Sequence, residues 1–385
     1  MDALNPVSGI TNAQVLGPDF TFHTSPALYW EAGTFSASGS ATNLVPGENT
    51  WVIPGLVDSH VHLAWTDFDE SERNQRARAD RDQLIQLALA KTLAAGFTSA
   101  RDAGGLETAW VEKLASGHIL GPAVSPSVAL ITREDAQRCG TVGSAVEDAL
   151  GRGAQWIKLI GTDGVTSPEG QDLEPHFTAA QFQEATRLAH QAGARVMVHA
   201  WGGQAITWAL EAGVESIEHG IFLTRDQAEL AAHTSATFVP TLVIYRLVLA
   251  MIEKGKLPRS FLQRVQHAVH AHPAAVRTAR DAGVHIALGT DFGTMDQHGS
   301  NARELLALID AGLTPTEALR AATSAGARLV NLNQTGTIET GAPADAVVLR
   351  YNPLNPTTFA QADAIVAVIK SGRMVSNQLH THISN

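Results

Sequence analysis

The stretch Val52-Ile-Pro-Gly-Leu-Val-Asp-Ser-His-Val-His-Leu63 carries the strongest structural signal in this sequence. Its core, Leu56 to Leu63, predicts a buried strand with two histidines near its carboxyl end, and Pro54-Gly55 indicates a chain reversal into it. His60 and His62 are two residues apart, so on a strand both imidazoles point to the same face. Imidazole is a common ligand of Zn²⁺ and similar ions. The stretch therefore predicts a buried strand whose carboxyl end carries two metal ligands.

Two other histidine pairs have the same spacing in different surroundings. His270 and His272 fall within a helical run from Phe261 to Ala282, where residues i and i+2 point in different directions. His380 and His382 belong to a polar terminal stretch. Neither pair is expected to bind a metal.

From residue 54 onward, apolar strand-like runs alternate with helical ones. The predicted strands are Leu56–Leu63, Thr98–Asp102, Ala123–Ile131, Trp156–Ile160, Arg195–Ala200, Ser216–Gly220, Ala236–Ile244 and Val284–Asp291. A glycine follows the helical run at five junctions, where a left-handed helix C-cap is expected: Gly96, Gly153, Gly193, Gly213 and Gly283. Eight such units over about 240 residues match an α/β fold of the (β/α)₈ TIM-barrel type. The alternative is an open doubly wound sheet, but no glycine-rich phosphate loop follows any strand.

The two ends of the chain have a different character from the middle. Residues 1–53 are turn-rich with short strand-like pieces, which predicts antiparallel β-structure. Residues 54–333 comprise the predicted barrel, with two further helices at its end. Residues 334–385 contain more apolar strands and then a polar tail. We expect both chain ends to build one small β-sandwich beside the barrel.

The composition is that of a globular protein, with 44% hydrophobic residues, 17% charged residues and a net charge of −11. No basic block is present, so nucleic-acid binding is not expected, and no apolar run is long enough to cross a membrane. The single cysteine, Cys139, rules out an internal disulfide. Met1-Asp-Ala-Leu-Asn-Pro6 does not resemble a signal peptide. We therefore expect a cytoplasmic protein with a small-molecule partner, and a homo-oligomer is compatible with the sequence.

Few polar residues lie at the predicted carboxyl ends of the strands, the face that holds the active site in TIM-barrel enzymes. They are His60, His62, Lys158, His199, His219 and Asp291. Each alone could be structural, as a core histidine, a snorkelling lysine or a helix N-cap. Their convergence on one mouth favours a metal centre. A buried lysine needs a partner or loses its charge, and a neutral Lys158 could take up carbon dioxide as a carbamate that bridges two ions.

Through these residues the chain resembles the amidohydrolase superfamily, in the branch of imidazolonepropionase-like and prolidase-like enzymes. The resemblance spans almost the whole chain. The matching pieces are Pro54-Gly-Leu-Val-Asp-Ser-His-Val-His62, Arg101-Asp-Ala-Gly-Gly105, Gly121-Pro122, Ile157-Lys158, Val198-His-Ala200, Ile217-Glu-His-Gly220, Gly289-Thr-Asp291, His298-Gly-Ser-Asn301 and the run from Gly336 to Leu349.

The resemblance implies two divalent metal ions, with Zn²⁺ the expected metal. His60 and His62 would bind the first ion. His199 and His219 would bind the second. Lys158, carboxylated by carbon dioxide, would bridge the two.

The resemblance also implies roles in the chemistry. Asp291 would bind the first ion and act as general base on the water that the metals share. Tyr245, after strand seven, would polarise the substrate carbonyl, unless it is an ordinary packed tyrosine. Two features depart from the family pattern. Trp201 stands where many relatives have histidine, and the loop Thr132–Gly140 is short; both touch the pocket, so the substrate cannot be copied from a relative.

The predicted function is hydrolysis of an amide-type carbon–nitrogen bond by a metal-bridged hydroxide, and the resemblance favours a dipeptide or an N-acyl amino acid. A lactonase or ester hydrolase could use the same centre. A single-metal cyclic-amide hydrolase or deaminase needs no lysine ligand, so Lys158 argues against it. A barrel that only binds a ligand would leave a full set of metal ligands without chemistry.

Overall fold

The computed structural model describes residues 8–39, 43–67, 70–165, 173–332 and 334–377. The strands are β1 Gly9–Leu16, β2 Phe22–Glu31, β3 Thr34–Ser36, β4 Leu44–Pro46, β5 Trp51–Pro54, β6 Leu56–Val61, β7 Phe97–Asp102, β8 Ala123–Pro126, β9 Leu130–Ile131, β10 Trp156–Ile160, β11 Arg195–Ala200, β12 Ser216–His219, β13 Thr237–Val239, β14 His285–Ile286, β15 Ala346–Leu349, β16 Ile365–Lys370 and β17 Arg373–Asn377.

The helices lie mainly between the strands of the barrel. They are α1 Glu70–Gln75, α2 Arg78–Ala94, α3 Thr108–Ala115, α4 Arg133–Arg138, α5 Val142–Gly151, α6 Ala179–Gln191, α7 Gln204–Glu211, α8 Arg225–Thr234, α9 Leu242–Glu253, α10 Leu262–Asp281, α11 Arg303–Ala311, α12 Pro315–Arg320 and α13 Gly326–Val330. A π-helical segment, Ala321–Ala325, joins α12 to α13. None of the helices in the described ranges is long and apolar enough to span a membrane.

Strands from both ends of the chain form one β-domain. Their order is β17-β16-β15-β5-β1-β2-β3, with β4 also paired to β1. The two chain ends meet where β15 runs antiparallel to β5. The domain has an apolar core of its own, which includes Trp30, Phe35, Val52 and Val348. The prediction that both chain ends build one β-domain is confirmed, and its eight described strands are hydrogen-bonded as a single sheet.

The remaining strands form a parallel barrel with the predicted order. Strands β6, β7 and β8 pair in sequence, and β9 to β14 continue the series, so that the predicted third strand is divided into β8 and β9. The barrel closes between β6 and the segment after β14. There, the Ser59 amide donates to the Leu288 carbonyl at 2.8 Å and the Asp291 amide to the His60 carbonyl at 2.7 Å. The (β/α)₈ prediction is confirmed.

The seventh strand of the barrel, β13, is shorter than predicted. It ends at Val239, and α9 begins at Leu242. Pro240 has no N–H for the sheet ladder, and Thr241 has a left-handed backbone with φ of +56°. The apolar run after it continues as a buried helix, which its composition alone cannot distinguish from a buried strand. Tyr245 therefore lies near the start of a helix, within a stretch whose first residues were predicted as strand.

Candidate metal centre

The six predicted ligands lie at the carboxyl ends of the barrel strands. His60 and His62 lie at the end of β6, Lys158 in β10, His199 in β11, His219 at the end of β12 and Asp291 after β14. His60, His62, Lys158 and His219 are at most 3% exposed, and the other two are half-buried. The barrel topology thus brings to one mouth residues that are up to 231 positions apart in sequence (His60 to Asp291).

Asp291 makes the closest contacts within this group. Its Oδ1 lies 3.3 Å from Nε2 of His60 and 3.2 Å from Nε2 of His62. Nζ of Lys158 lies 3.2 Å from the same His60 nitrogen. One ligand atom from each of His60, His219 and Asp291 lies within 4.8 Å of the others. These atoms are close enough to share one cation.

His199 provides an independent test of whether a metal fits. Its ring centroid lies 4.5 Å from that of His219, and its Nε2 is buried with no hydrogen-bond partner among the described residues. Buried imidazole nitrogens are normally hydrogen-bonded or bound to metal. Burial, helped by the nearby Lys158 charge, lowers the pKa of His199 to about 3. The neutral ring is the form that binds metal, so the residues present fit a divalent metal centre.

The opposite nitrogen of His60 is held by a buried ion pair. Its Nδ1 lies 2.5 Å from Oε2 of Glu218, and Nη2 of Arg101 lies 2.8 Å from the same oxygen. Burial alone would raise the pKa of Glu218, but Arg101 and His60 hold it at about 2. Glu218 is therefore a carboxylate that accepts a hydrogen bond from Nδ1 of His60, and the ring presents Nε2 to the centre.

His62 and His219 have outer partners as well. Nδ1 of His62 lies 3.0 Å from the Gly104 carbonyl oxygen. Nδ1 of His219 lies 2.7 Å from Oγ1 of Thr241. Such outer hydrogen bonds fix the tautomer and ring orientation of metal-binding histidines. Sequence reasoning gave no role to Glu218, Arg101 or Thr241, although Glu218 and Arg101 are charged residues inside apolar strands.

Three residues of the centre have left-handed backbones without being glycine. The φ angles are +69° at His219, +56° at Thr241 and +55° at Asp291. Such conformations cost free energy and concentrate at functional sites. At His219 the left-handed turn breaks the strict alternation of β12, so that Glu218 and His219 can both serve the same centre.

The ionisation states of Asp291 and Lys158 suit their predicted roles. Burial would raise the pKa of Asp291, but the charge and hydrogen bond of His60, with the hydrogen bond of His62, hold it well below its ordinary value. Asp291 is therefore ionised. Burial lowers the pKa of Lys158 to about 8, which makes the neutral amine accessible near physiological pH.

Tyr245 lies beside the centre with a hydrogen bond that the sequence did not reveal. Its ring centroid lies 5.9 Å from that of His219, and Nε1 of Trp201 donates to its hydroxyl oxygen at 3.0 Å. Burial raises the pKa of Tyr245 well above its ordinary value, so the phenol stays neutral. The residue that departs from the family pattern, Trp201, is therefore in contact with the predicted carbonyl-polarising group.

Of the four histidines not expected to bind metal, His270 and His272 lie on α10 within the described residues. His270 is exposed on α10. His272 is buried, its Nε2 lies 2.8 Å from the His219 carbonyl oxygen, and its ring packs 5.5 Å from Tyr245. His380 and His382 lie outside the described residues.

A cavity of about 460 Å³ lies on the same face of the barrel. It is bounded by the segments that follow the first three barrel strands, with Ile85, Trp110 and Leu130 as apolar lining. Its charged lining has three arginines and three acidic residues: Arg73, Arg78, Arg81, Asp82, Glu107 and Asp135. Trp65 forms the wall towards the centre, with its ring stacked 3.7 Å from that of His62. A small molecule in this cavity would be separated from the centre by one indole ring.

The sequence matches the model of the Amidohydrolase family over residues 51–375. An uncharacterized protein of Mycobacterium tuberculosis is 28% identical over 328 residues, which cover 84% of this chain and 86% of that protein. The ochratoxinase of Aspergillus niger is 27% identical over 367 residues, covering 84% of this chain and 75% of the relative.

Solved structures agree with the fold. A prolidase complexed with N-methylphosphonate-L-proline superimposes with a TM-score of 0.86 at 24% identity, covering 96% of this chain and 99% of the prolidase. The A. niger ochratoxinase has a TM-score of 0.83 at 24% identity, covering 96% and 95%. The family match includes the barrel and sheet strands on both sides of it, so the chain belongs to the amidohydrolase family, as its motifs predicted.

Proposed function

We propose that this hydrolase cleaves an amide-type carbon–nitrogen bond in a dipeptide or an N-acyl amino acid, with two divalent ions at the candidate centre. The observation that carries the proposal is the position of Asp291. Its carboxylate lies within 3.3 Å of the Nε2 atoms of both His60 and His62. One structural neighbour is a prolidase bound to a proline phosphonate, and this similarity supports a peptide-like scissile bond in the substrate.

The ligand set divides into two groups around Lys158. His60, His62 and Asp291 would hold one ion, while His199 and His219 would hold the other. Lys158, as its carbamate, would bridge them; zinc is the metal we expect from the nitrogen-rich set. Divalent ions bound here would supply an activated water and polarise the scissile carbonyl.

In this proposal, one side chain transfers the proton and another stabilises the charge that develops on the carbonyl oxygen. Asp291 is ionised, so it accepts a proton from the attacking water and passes it to the leaving amine. Tyr245 is neutral, so it donates a hydrogen bond to the carbonyl oxygen as negative charge develops there. Both side chains are held in place before substrate binds, through His60 and His62 for Asp291 and through Trp201 for Tyr245.

The cavity beyond Trp65 has three arginines and three acidic residues in its lining, and its arginines support a substrate that carries a free carboxylate. Arginine suits carboxylate recognition because its planar group can donate two parallel hydrogen bonds. An N-acyl amino acid or a dipeptide carries such a carboxylate close to its amide bond.

The test is a substrate comparison with metal-loaded enzyme. N-acyl amino acids and dipeptides, their carboxamide counterparts, and lactones would be assayed side by side, before and after removal of metal by a chelator. We expect metal-dependent turnover of the free acids and weaker turnover of the carboxamides. Turnover confined to lactones, or turnover that survives complete metal removal, would contradict the proposal.

A further inference from the structure

Trp201 and Tyr245 are joined by a hydrogen bond with only one possible direction. The indole Nε1–H of Trp201 lies 3.0 Å from the Tyr245 hydroxyl oxygen, and the two rings meet edge to face at 5.5 Å and 79°. An indole N–H can donate but cannot accept. The Tyr245 oxygen is therefore the acceptor, and the phenol proton takes no part in this bond.

The phenol proton is not committed elsewhere in the described part of the protein. No hydrogen bond donated by the Tyr245 hydroxyl is found there; the contact with Trp201 is one that it accepts. A hydroxyl carries one donor and two acceptor positions. Once Trp201 fills an acceptor position, the donor position is available to a further acceptor, such as a substrate oxygen.

Trp201 is itself fixed in place. Its amide donates to Oγ1 of Thr162 at 3.0 Å, and its carbonyl oxygen accepts from the Phe222 amide at 2.7 Å. The side chain is 1% exposed. The two backbone contacts hold Trp201 to the segments after β10 and β12. Together with the burial of the residue, they limit the directions in which the indole N–H can point.

We propose that Trp201 is a positioning residue that makes Tyr245 an obligate hydrogen-bond donor toward the substrate carbonyl. The inference rests on the proposed role of Tyr245. A histidine at this position could donate or accept, depending on its tautomer, and would leave the phenol free to turn its proton inward. The tryptophan removes that alternative.

The hydrogen bond is tested first without substrate. The chain has seven tryptophans, and Trp201→Phe identifies the Trp201 indole N–H resonance in a ¹H–¹⁵N spectrum by its loss. We expect Tyr245→Phe to shift that resonance upfield and to accelerate its hydrogen exchange. An unchanged resonance in Tyr245→Phe would overturn the proposal. This comparison needs no turnover, so its outcome is separate from whether the proposed amide chemistry is correct.

The positioning role is tested by a double-mutant cycle on whichever substrate the enzyme turns over. Trp201→Phe should lower kcat about 10-fold with KM nearly unchanged, since misplaced catalytic groups cost up to about 10²-fold. Tyr245→Phe should lower kcat about 10²-fold, as for the loss of one oxyanion donor. The double variant should match Tyr245→Phe alone. If the two losses multiply, Trp201 acts independently of Tyr245 and the proposal fails. Trp30→Phe, buried in the β-domain, serves as the control and should leave kcat unchanged.

Discussion

Oε2 of Glu218 lies 2.5 Å from Nδ1 of His60, and this contact sets which nitrogen of His60 faces the centre. The Glu218 carboxylate accepts a hydrogen bond from Nδ1 of His60, and the ring then presents Nε2 to the centre. That nitrogen lies 3.3 Å from Asp291 Oδ1 and 3.2 Å from Lys158 Nζ. A buried carboxylate thus fixes the orientation of a candidate metal-binding imidazole.

Glu218→Gln should weaken metal binding and folding together. The amide cannot balance the buried Arg101 guanidinium, and removal of one partner from a buried ion pair costs about 3–5 kcal/mol. Loss of an outer partner of a metal-binding histidine typically lowers metal affinity about 10–100-fold. Competitive zinc titration and urea unfolding measure the two effects. Glu229→Gln, from an exposed pair with Arg225, is the control and should change neither. Wild-type zinc affinity in Glu218→Gln would contradict this reading.

Lys158→Ala should remove one of two metal equivalents and nearly all turnover. The side chain is 2% exposed and lies 3.2 Å from His60, so its truncation would leave a buried gap where the proposed carbamate would lie. Short carboxylic acids such as propionate should restore part of both by filling the gap. Metal analysis with and without propionate measures this, and exposed Lys254→Ala is the control. An active variant with full metal content would exclude the carbamate.

Glu304→Gln should change how stability depends on pH. The two oxygens of the buried Glu304 carboxyl group accept hydrogen bonds from the Leu242 and Val243 amides at 2.6 and 2.8 Å, at the start of the helix that carries Tyr245. Burial raises the pKa of Glu304 from 4.5 to about 8. Between these values the folded state holds a proton that the unfolded state has released, so wild-type stability should fall as pH rises through this window. Relative to Glu304→Gln, which cannot titrate, wild type should lose unfolding free energy from pH 5 to pH 8. A difference that stays constant with pH would contradict this.

His272→Ala should lower stability without loss of metal. The buried ring bonds to the His219 carbonyl oxygen and packs against Tyr245, so its removal should cost about 1–3 kcal/mol and reduce kcat. Replacement of the exposed His270 by alanine should change neither the stability nor kcat. Metal analysis of both variants decides the matter, because loss of a metal equivalent from either one would show that a helical histidine is a ligand.

The fold was predictable because its signals are local and repeated. The glycines predicted to cap helices, from Gly96 to Gly283, have φ between +75° and +89°, and each predicted barrel strand has a counterpart within the described residues. Where prediction failed, the local signal was ambiguous. The run after Pro240 is apolar enough for a strand. In the structure it forms a buried helix, and Glu304 accepts a hydrogen bond from the amide of its first residue, Leu242.

The positions of the candidate ligands at the strand ends could be predicted from the sequence, and the hydrogen-bond partners of these residues could not. Strand-end positions led to His199 and His219, whose metal role stays a prediction. Glu218, Thr241 and the Trp201–Tyr245 bond depend on contacts between strands that are distant in sequence and on left-handed backbones at His219 and Thr241. No local pattern in the sequence encodes such contacts.

Asp291→Asn gives the most direct test of the central claim, that Asp291 is the base of a metal-dependent hydrolase. Asparagine keeps the shape and tolerates the left-handed backbone, φ +55°, at this position, so the fold should be preserved. The measurement is kcat for an N-acyl amino acid, with wild type and variant compared at equal metal content. The account predicts a loss of at least about 10²-fold. Turnover close to wild type at equal metal content would contradict it.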